Sequence, residues 1–162
     1  MRFMLVAGLV AAFSFGVRAE EKGDLAGKMK EAKVPLEKGI AASATKGKPI
    51  SAKYEVEDGK LQLSVYTAKD DSFSEVIVDH KTGKVAKAEP ITGGDDLTAA
   101  KAQNEAMSNA KTSLQAAVSK AVKANKGYQA VSAMPSVKDG HPTADITLMK
   151  GSDSKTVSEQ LD

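Results

Sequence analysis

The chain contains two histidines, and each stands close to an aspartate in a segment rich in turn-forming residues. His80 follows Asp79 directly, and His141 comes two residues after Asp139. Imidazole is the commonest metal ligand in proteins, so two turn histidines that met at one end of a sheet could bind a transition metal. One imidazole with one carboxylate is a thin ligand set, however. The pattern therefore favours solvated turns, with His80 and His141 as weak candidates for metal binding.

Fragments of a serine acyl-transfer site also occur, but their arrangement in the chain does not match that of such an enzyme. Ser152 and Lys155 have S-x-x-K spacing, and Lys81-Thr82-Gly83 spells K-T-G, two motifs of penicillin-recognising serine enzymes. They stand in reversed chain order, and no S-D-N element lies between them. No nucleophile has a plausible base, and no glycine-rich loop links a strand to a helix as phosphate binding requires. The sequence predicts a protein that is not an enzyme, with no catalytic residues and no cofactor.

The composition excludes further classes of function. The chain has no cysteine, which excludes thiolate catalysis, cysteine-containing zinc sites and a lipid-anchored lipoprotein. Its only arginines are Arg2 and Arg18, and it has no tryptophan. Because bidentate phosphate recognition favours arginine and base stacking needs aromatic side chains, we expect no binding of nucleic acid.

The N-terminal residues have the pattern of a secretory signal peptide. Met1-Arg2 precedes an uncharged run from Phe3 to Val17, and small residues follow before two glutamates. This run is shorter than the about 20 apolar residues of a membrane-spanning helix. We therefore expect a signal peptide over 1–19, cleavage between Ala19 and Glu20, and export to the periplasm or the medium without stable membrane insertion. An uncleaved N-terminal anchor is the alternative.

Hydrophobic spacing predicts helices followed by antiparallel strands. Apolar residues three and four apart from Leu25 to Ile40 indicate an amphipathic helix that Pro35 either divides or kinks. Alternating runs on both sides of Asp58-Gly59 then predict a hairpin. A further strand over 73–78 leads through the turn at 79–84 into a short strand at Val85.

The second half of the chain repeats this order of elements. Helical spacing from Asp95 to Asn125 predicts one long helix, whose part over 93–110 links the two halves. A shift of about 81 residues then pairs Ala52 with Ala133 and Asp58-Gly59 with Asp139-Gly140. We therefore predict an α+β fold of two tandem units over 20–92 and 111–162. Each unit is expected to be a helix packed on a small antiparallel meander.

The first copy resembles the PepSY domain family. That family has the order helix, strand, turn, strand, turn and then E-V-x-V-D-x-K-T-G-K-V, which residues Glu75 to Val85 follow closely. The second copy resembles the C-terminal unit of small exported PepSY proteins, but it lacks the D-x-K-T-G-K-V turn. The resemblance implies a PepSY-like fold in both units and an envelope location. Because such domains occur in propeptides of secreted metallopeptidases, it also implies inhibition or regulation of peptidases, but no catalytic or ligand residues.

What remains is an interaction protein. Open edges of an antiparallel meander accept an extended peptide through backbone hydrogen bonds. We therefore expect an exported, non-catalytic protein that binds a protein or peptide partner, such as a peptidase or another envelope protein. A periplasmic protein that binds a small ligand or a metal is the alternative, and the oligomeric state stays open. The candidate contact residues, which plain hairpin chemistry would also explain, are Asp58, Gly59, Asp79, His80, Lys81, Thr82, Gly83 and Lys84.

Overall fold

The computed structural model describes the chain from Ala19 to Asp162, with side chains from Asp24 onward. The predicted signal peptide therefore lies outside the described residues except for Ala19, which begins the first helix. In chain order the elements are α1 (Ala19–Lys28), a short 3-10 helix (Met29–Glu31), α2 (Leu36–Ser43), β1 (Lys48–Glu57), β2 (Lys60–Lys69), β3 (Ser72–Val78), β4 (Val85–Ile91), α3 (Gly94–Ser108), α4 (Leu114–Ala124), β5 (Gln129–Lys138), β6 (His141–Lys150) and β7 (Asp153–Gln160).

All of these strands belong to one antiparallel sheet, in the order β4-β3-β2-β1-β5-β6-β7. The prediction of two tandem units, each a helix on its own small meander, is therefore wrong. The hairpins predicted at Asp58-Gly59 and Asp139-Gly140 are present, but β1 and β5 also pair with each other. This pairing has a physical reason, since the first strand of each meander would otherwise expose an open edge.

The joint between β1 and β5 is short and includes one pair of equivalent residues of the two copies, Ala52 and Ala133. Ala52 stands opposite Ala133, and Lys53 stands opposite Ser132. Each strand has a bulge at its equivalent position, between Pro49 and Ser51 in β1 and between Ala130 and Ser132 in β5. Bulges increase local bend and twist, which accounts for the limited length of the pairing.

Helices pack on both faces of the sheet. α2 and α4 contact each other on the face that carries Ala52, where Gly39 of α2 lies against the Leu63 side chain. α3 lies on the opposite face, to which Ser51 points because successive strand residues alternate. There the Ser51 hydroxyl donates a hydrogen bond to Gln103 Oε1 of α3 at 2.7 Å. Within the described part of the chain, none of the helices has the length and apolar character needed to cross a membrane.

The segment predicted as one long helix is divided into α3 and α4. Between them, the N–H groups of Lys111 and Thr112 donate to the carbonyl oxygen of Leu161 at 2.6 and 2.8 Å. Ser113 then caps α4, because its hydroxyl accepts the N–H of Ala116 at 3.2 Å. This break takes the chain from one face of the sheet to the other, which a continuous helix could not do.

Candidate interaction surface

The sheet topology brings the two predicted contact turns to the same end of the molecule. β1 and β3 run in the same direction, because each is antiparallel to β2. The turns that follow them, Asp58-Gly59 and Asp79–Lys84, therefore lie side by side. The second segment is called the β3–β4 turn below.

Hydrogen bonds inside the β3–β4 turn fix its backbone. Asp79 Oδ1 accepts the N–H groups of Lys81 at 2.8 Å and Thr82 at 2.9 Å. The Asp79 carbonyl accepts the N–H of Gly83, and its own N–H donates to Lys84, both at 2.8 Å. Gly83 has φ +77°, a conformation that L side chains rarely adopt. The N–H groups of Thr82 and Lys81 hold the pKa of Asp79 below its usual value, because they stabilise the carboxylate.

A second set of contacts ties the β3–β4 turn to the segment before α2. The His80 carbonyl accepts the N–H groups of Lys33 at 2.9 Å and Val34 at 3.1 Å. The Val34 side chain lies against Gly83, and the Val34 carbonyl accepts the hydroxyl of Tyr54. Burial, helped by the charge of Glu37, raises the pKa of that hydroxyl. The turn is thereby fastened to the core through Tyr54, which is 3% exposed.

The side chains of the turn contrast with its fixed backbone. Those of Lys81, Thr82 and Lys84 are exposed, whereas Gly83 is partly covered by Val34. A segment with this combination loses little backbone freedom when a partner binds it. The β3–β4 turn is therefore suited to docking as a preformed surface.

The Asp58-Gly59 turn has a simpler explanation. Asp58 has φ +49° and Gly59 has φ +74°, the two positive values that a tight type I′ hairpin turn needs. Asp139 and Gly140 have nearly the same values, +51° and +81°, at the opposite end of the sheet. Both copies have these residues because the hairpin turn needs them. We therefore interpret Asp58 and Gly59 as turn-forming residues and not as a contact site for a partner.

The two histidines do not share a site. His80 lies in the β3–β4 turn, whereas His141 begins β6 at the opposite end of the sheet. His141 Nδ1 lies 2.5 Å from Asp162 Oδ2, a contact that lowers the pKa of the Asp162 carboxyl. His80 Nδ1 is buried and has no hydrogen-bond partner among the residues that the structure describes. Among the described residues, no three side chains of His, Asp or Glu are placed to hold a metal ion.

The sequence did not predict a cluster of polar side chains on the sheet face against which α3 packs. Lys53 Nζ lies 2.7 Å from Glu55 Oε2 and 5.8 Å from the centre of the Tyr66 ring, and the Tyr66 hydroxyl lies 3.4 Å from Glu75 Oε1. Burial lowers the pKa of Lys53, but Glu55 and Tyr66 outweigh it and raise the pKa overall. Strand alternation places Lys53 and Glu55 on the polar face, but only the fold shows that this face is half-buried.

Two surface pockets offer no clear ligand site. One has a volume of about 360 Å³ and acidic residues, Glu75, Glu89 and Asp96, in its wall. The other has about 240 Å³ and lies between Val34 and Tyr128. Small-molecule sites usually have about 300–1,000 Å³, an apolar lining and a few convergent polar groups. The lining of the acidic pocket is mainly polar despite Pro90 and Ile91, and the second pocket is smaller than that range.

Comparisons with families of known proteins, with curated proteins and with solved structures found no match to this chain. The β3–β4 turn is the candidate segment that combines a fixed backbone with exposed side chains.

Proposed function

We propose that this protein is an exported, non-catalytic interaction protein that docks its β3–β4 turn into a partner, and that the partner is a peptidase whose activity it inhibits or regulates. The observation that supports the proposal is that two separate sets of hydrogen bonds hold the backbone of the turn. Asp79 fixes the backbone from inside, and the His80 carbonyl binds it to Lys33 and Val34.

Peptidases are the partner class that best suits such a turn. In complexes between peptidases and their protein inhibitors, the interface backbone moves little, by about 1 Å or less. The β3–β4 turn meets this condition because its own hydrogen bonds hold it before binding. The resemblance to PepSY domains supports the same partner class, since the matching residues from Glu75 to Val85 include the turn.

Two lysines give the turn a chemical preference. Lys81 and Lys84 are exposed and project from the same short segment. Opposite charges steer association and fix orientation at an interface, so we expect an acidic rim around the partner's cleft. Because exposed charges are screened by salt, binding should weaken as ionic strength rises.

Affinity capture and peptidase assays test the proposal together. Wild-type protein is immobilised, challenged with an extract of the cell envelope, and assayed against the peptidases of that extract. We expect a retained peptidase whose activity falls on binding. The double variant Lys81→Ala, Lys84→Ala should weaken retention and inhibition on the order of tenfold.

The matched control removes two exposed lysines elsewhere, in the double variant Lys69→Ala, Lys101→Ala. It should bind and inhibit as the wild type does. Failure of the wild type to retain or inhibit any peptidase would overturn the proposal, and so would an equal loss in both double variants.

A further inference from the structure

The two outer strands of the sheet differ in how their free edges are protected. β4 contains Pro90, which has no N–H, and proline on an edge strand hinders the addition of another strand. β7 contains no proline. The repeat makes β7 the counterpart of β3, which is covered by β4, yet within the described residues β7 is the last strand of the sheet. Among the strands of residues 19–162, none pairs with the outer edge of β7, so its outward backbone groups are open to a further strand.

The register shows which backbone groups β7 presents outward. The N–H of Leu161 donates to the Pro142 carbonyl at 2.9 Å, and the ladder pairs Val157 with Ile146. Hydrogen-bonded pairs alternate along an antiparallel ladder, so Val157 and Leu161 both direct their backbone groups toward β6. The outward backbone groups therefore belong to Ser154, Thr156, Ser158 and Gln160.

We propose that the occupant of this edge is β7 of a second copy of this chain, paired antiparallel about Val157. The order of side chains supports a self-complementary pairing. With Val157 opposite its own counterpart, Lys155 stands opposite Glu159 of the second copy, and Glu159 opposite its Lys155. Opposite charges that face each other across an antiparallel pair stabilise it. Both ionic pairs occur at positions without backbone hydrogen bonds, where side chains approach most closely.

The charged side chains of β7 are already held in place. Lys155 Nζ lies 4.3 Å from the centre of the Tyr128 ring. Glu159 Oε2 lies 2.6 Å from Lys120 Nζ, and the Glu159 side chain is only 14% exposed. Side chains fixed in this way lose little freedom when the second copy binds.

Helices do not obstruct this arrangement. α4 contacts β1, β5, β6 and β7, and β5 most extensively, so its axis lies over β5 and β6, at least one strand inside the edge. Two β6 strands separated by a β7 pair would lie about 14 Å apart, three times the usual strand spacing of about 4.8 Å. Packed helices need only about 8–10 Å between their axes. The two copies therefore form one continuous sheet without a clash between their α4 helices.

Sedimentation equilibrium tests the proposal on the full protein, purified from the cell that produces it in the processed form found there. The wild type should show a dimer that dissociates on dilution. Lys155→Glu places two acidic pairs across the joint, and Glu159→Lys places two basic pairs there. Each variant should weaken dimerisation by about tenfold or more, because like charges that face each other destabilise the pairing.

An equimolar mixture of the two single variants provides the decisive comparison. Each heterodimer regains two opposite-charge pairs, so association should return toward the wild-type level. Lys87→Glu, which changes the charge of β4 instead, should leave dimerisation unchanged. Circular dichroism establishes that each variant is folded. Thr156→Pro removes an outward N–H of β7 and should therefore also weaken dimerisation. A wild type that stays monomeric at millimolar concentration, or a mixture of the single variants that does not associate, would overturn the proposal.

Discussion

Asp79 shows how much of the proposed docking surface depends on one side chain. Its Oδ1 atom accepts two backbone N–H groups, from Lys81 and Thr82, and no other side chain of the turn accepts both. Asp79→Ala should therefore loosen the β3–β4 turn without unfolding the sheet. Amide hydrogen exchange at Lys81 and Thr82 should accelerate several-fold, since these N–H groups lose their acceptor. Asp71→Ala, in another exposed turn, should leave both rates unchanged, and equal rates in the wild type and Asp79→Ala would contradict this role.

The charge of Asp79 makes the turn sensitive to acid. Its folded pKa lies below the usual value of about 3.9, so the carboxylate favours the ordered turn above that pH. The stabilisation is lost as the pH falls through the lowered pKa. An NMR titration of the Thr82 amide should therefore show a midpoint below the ordinary value. A midpoint at or above it would mean that these hydrogen bonds do not stabilise the charged form.

Tyr54 fastens the turn to the core from the other side. Its hydroxyl donates to the Val34 carbonyl, and its side chain is almost fully buried. Tyr54→Phe leaves that carbonyl without its partner, which should lower the free energy of unfolding by about 1–3 kcal/mol. Urea denaturation measures this change, with Tyr128→Phe as the control at a half-exposed tyrosine. A loss no larger than that of the control would show that the hydrogen bond contributes nothing to stability.

At the scale of elements, the sequence predicts local structure, such as hairpins, better than it predicts which distant elements pair with each other. Period-2 runs joined by Asp-Gly identify both hairpins because turn and strand signals are local. The pairing of β1 with β5 could not be predicted, since it joins Ala52 to Ala133 across the whole intervening chain. The break between α3 and α4, from Asn109 to Ser113, could not be predicted either, because alanine-rich helical spacing continues through it. The hydrogen bonds that hold the chain in this break are made to the distant Leu161 carbonyl.

The β1–β5 joint should make the sheet unfold as one cooperative unit. Ala133 is fully buried opposite Ala52, so Ala133→Leu should overpack the joint and cost about 1–3 kcal/mol. Ala88→Leu, on the exposed strand β4, should stay within about 0.5 kcal/mol. Both variants should show one urea transition that coincides in circular dichroism and tyrosine fluorescence. Two separate transitions would indicate halves that fold independently.

At the scale of the whole molecule, one end of the sheet carries the proposed docking turn and one edge carries the proposed dimer contact. The D-x-K-T-G-K-V pattern identifies the turn from sequence, because its residues are consecutive. The clamp from Lys33 and Val34 could not be foreseen, since it depends on where the fold places the segment before α2. The roles assigned to the turn and to β7 are physically separate, so a dimer would present two turns for binding.

Site-specific photo-cross-linking in living cells tests docking by the β3–β4 turn most directly. A photoreactive residue replaces Lys81 in one variant and Lys69, an exposed residue at the opposite end of the sheet, in another. Docking by the turn predicts a discrete cross-linked peptidase at position 81, lost when Asp79→Ala is added, and none at position 69. No adduct at position 81, or the same adduct at both positions, would contradict it.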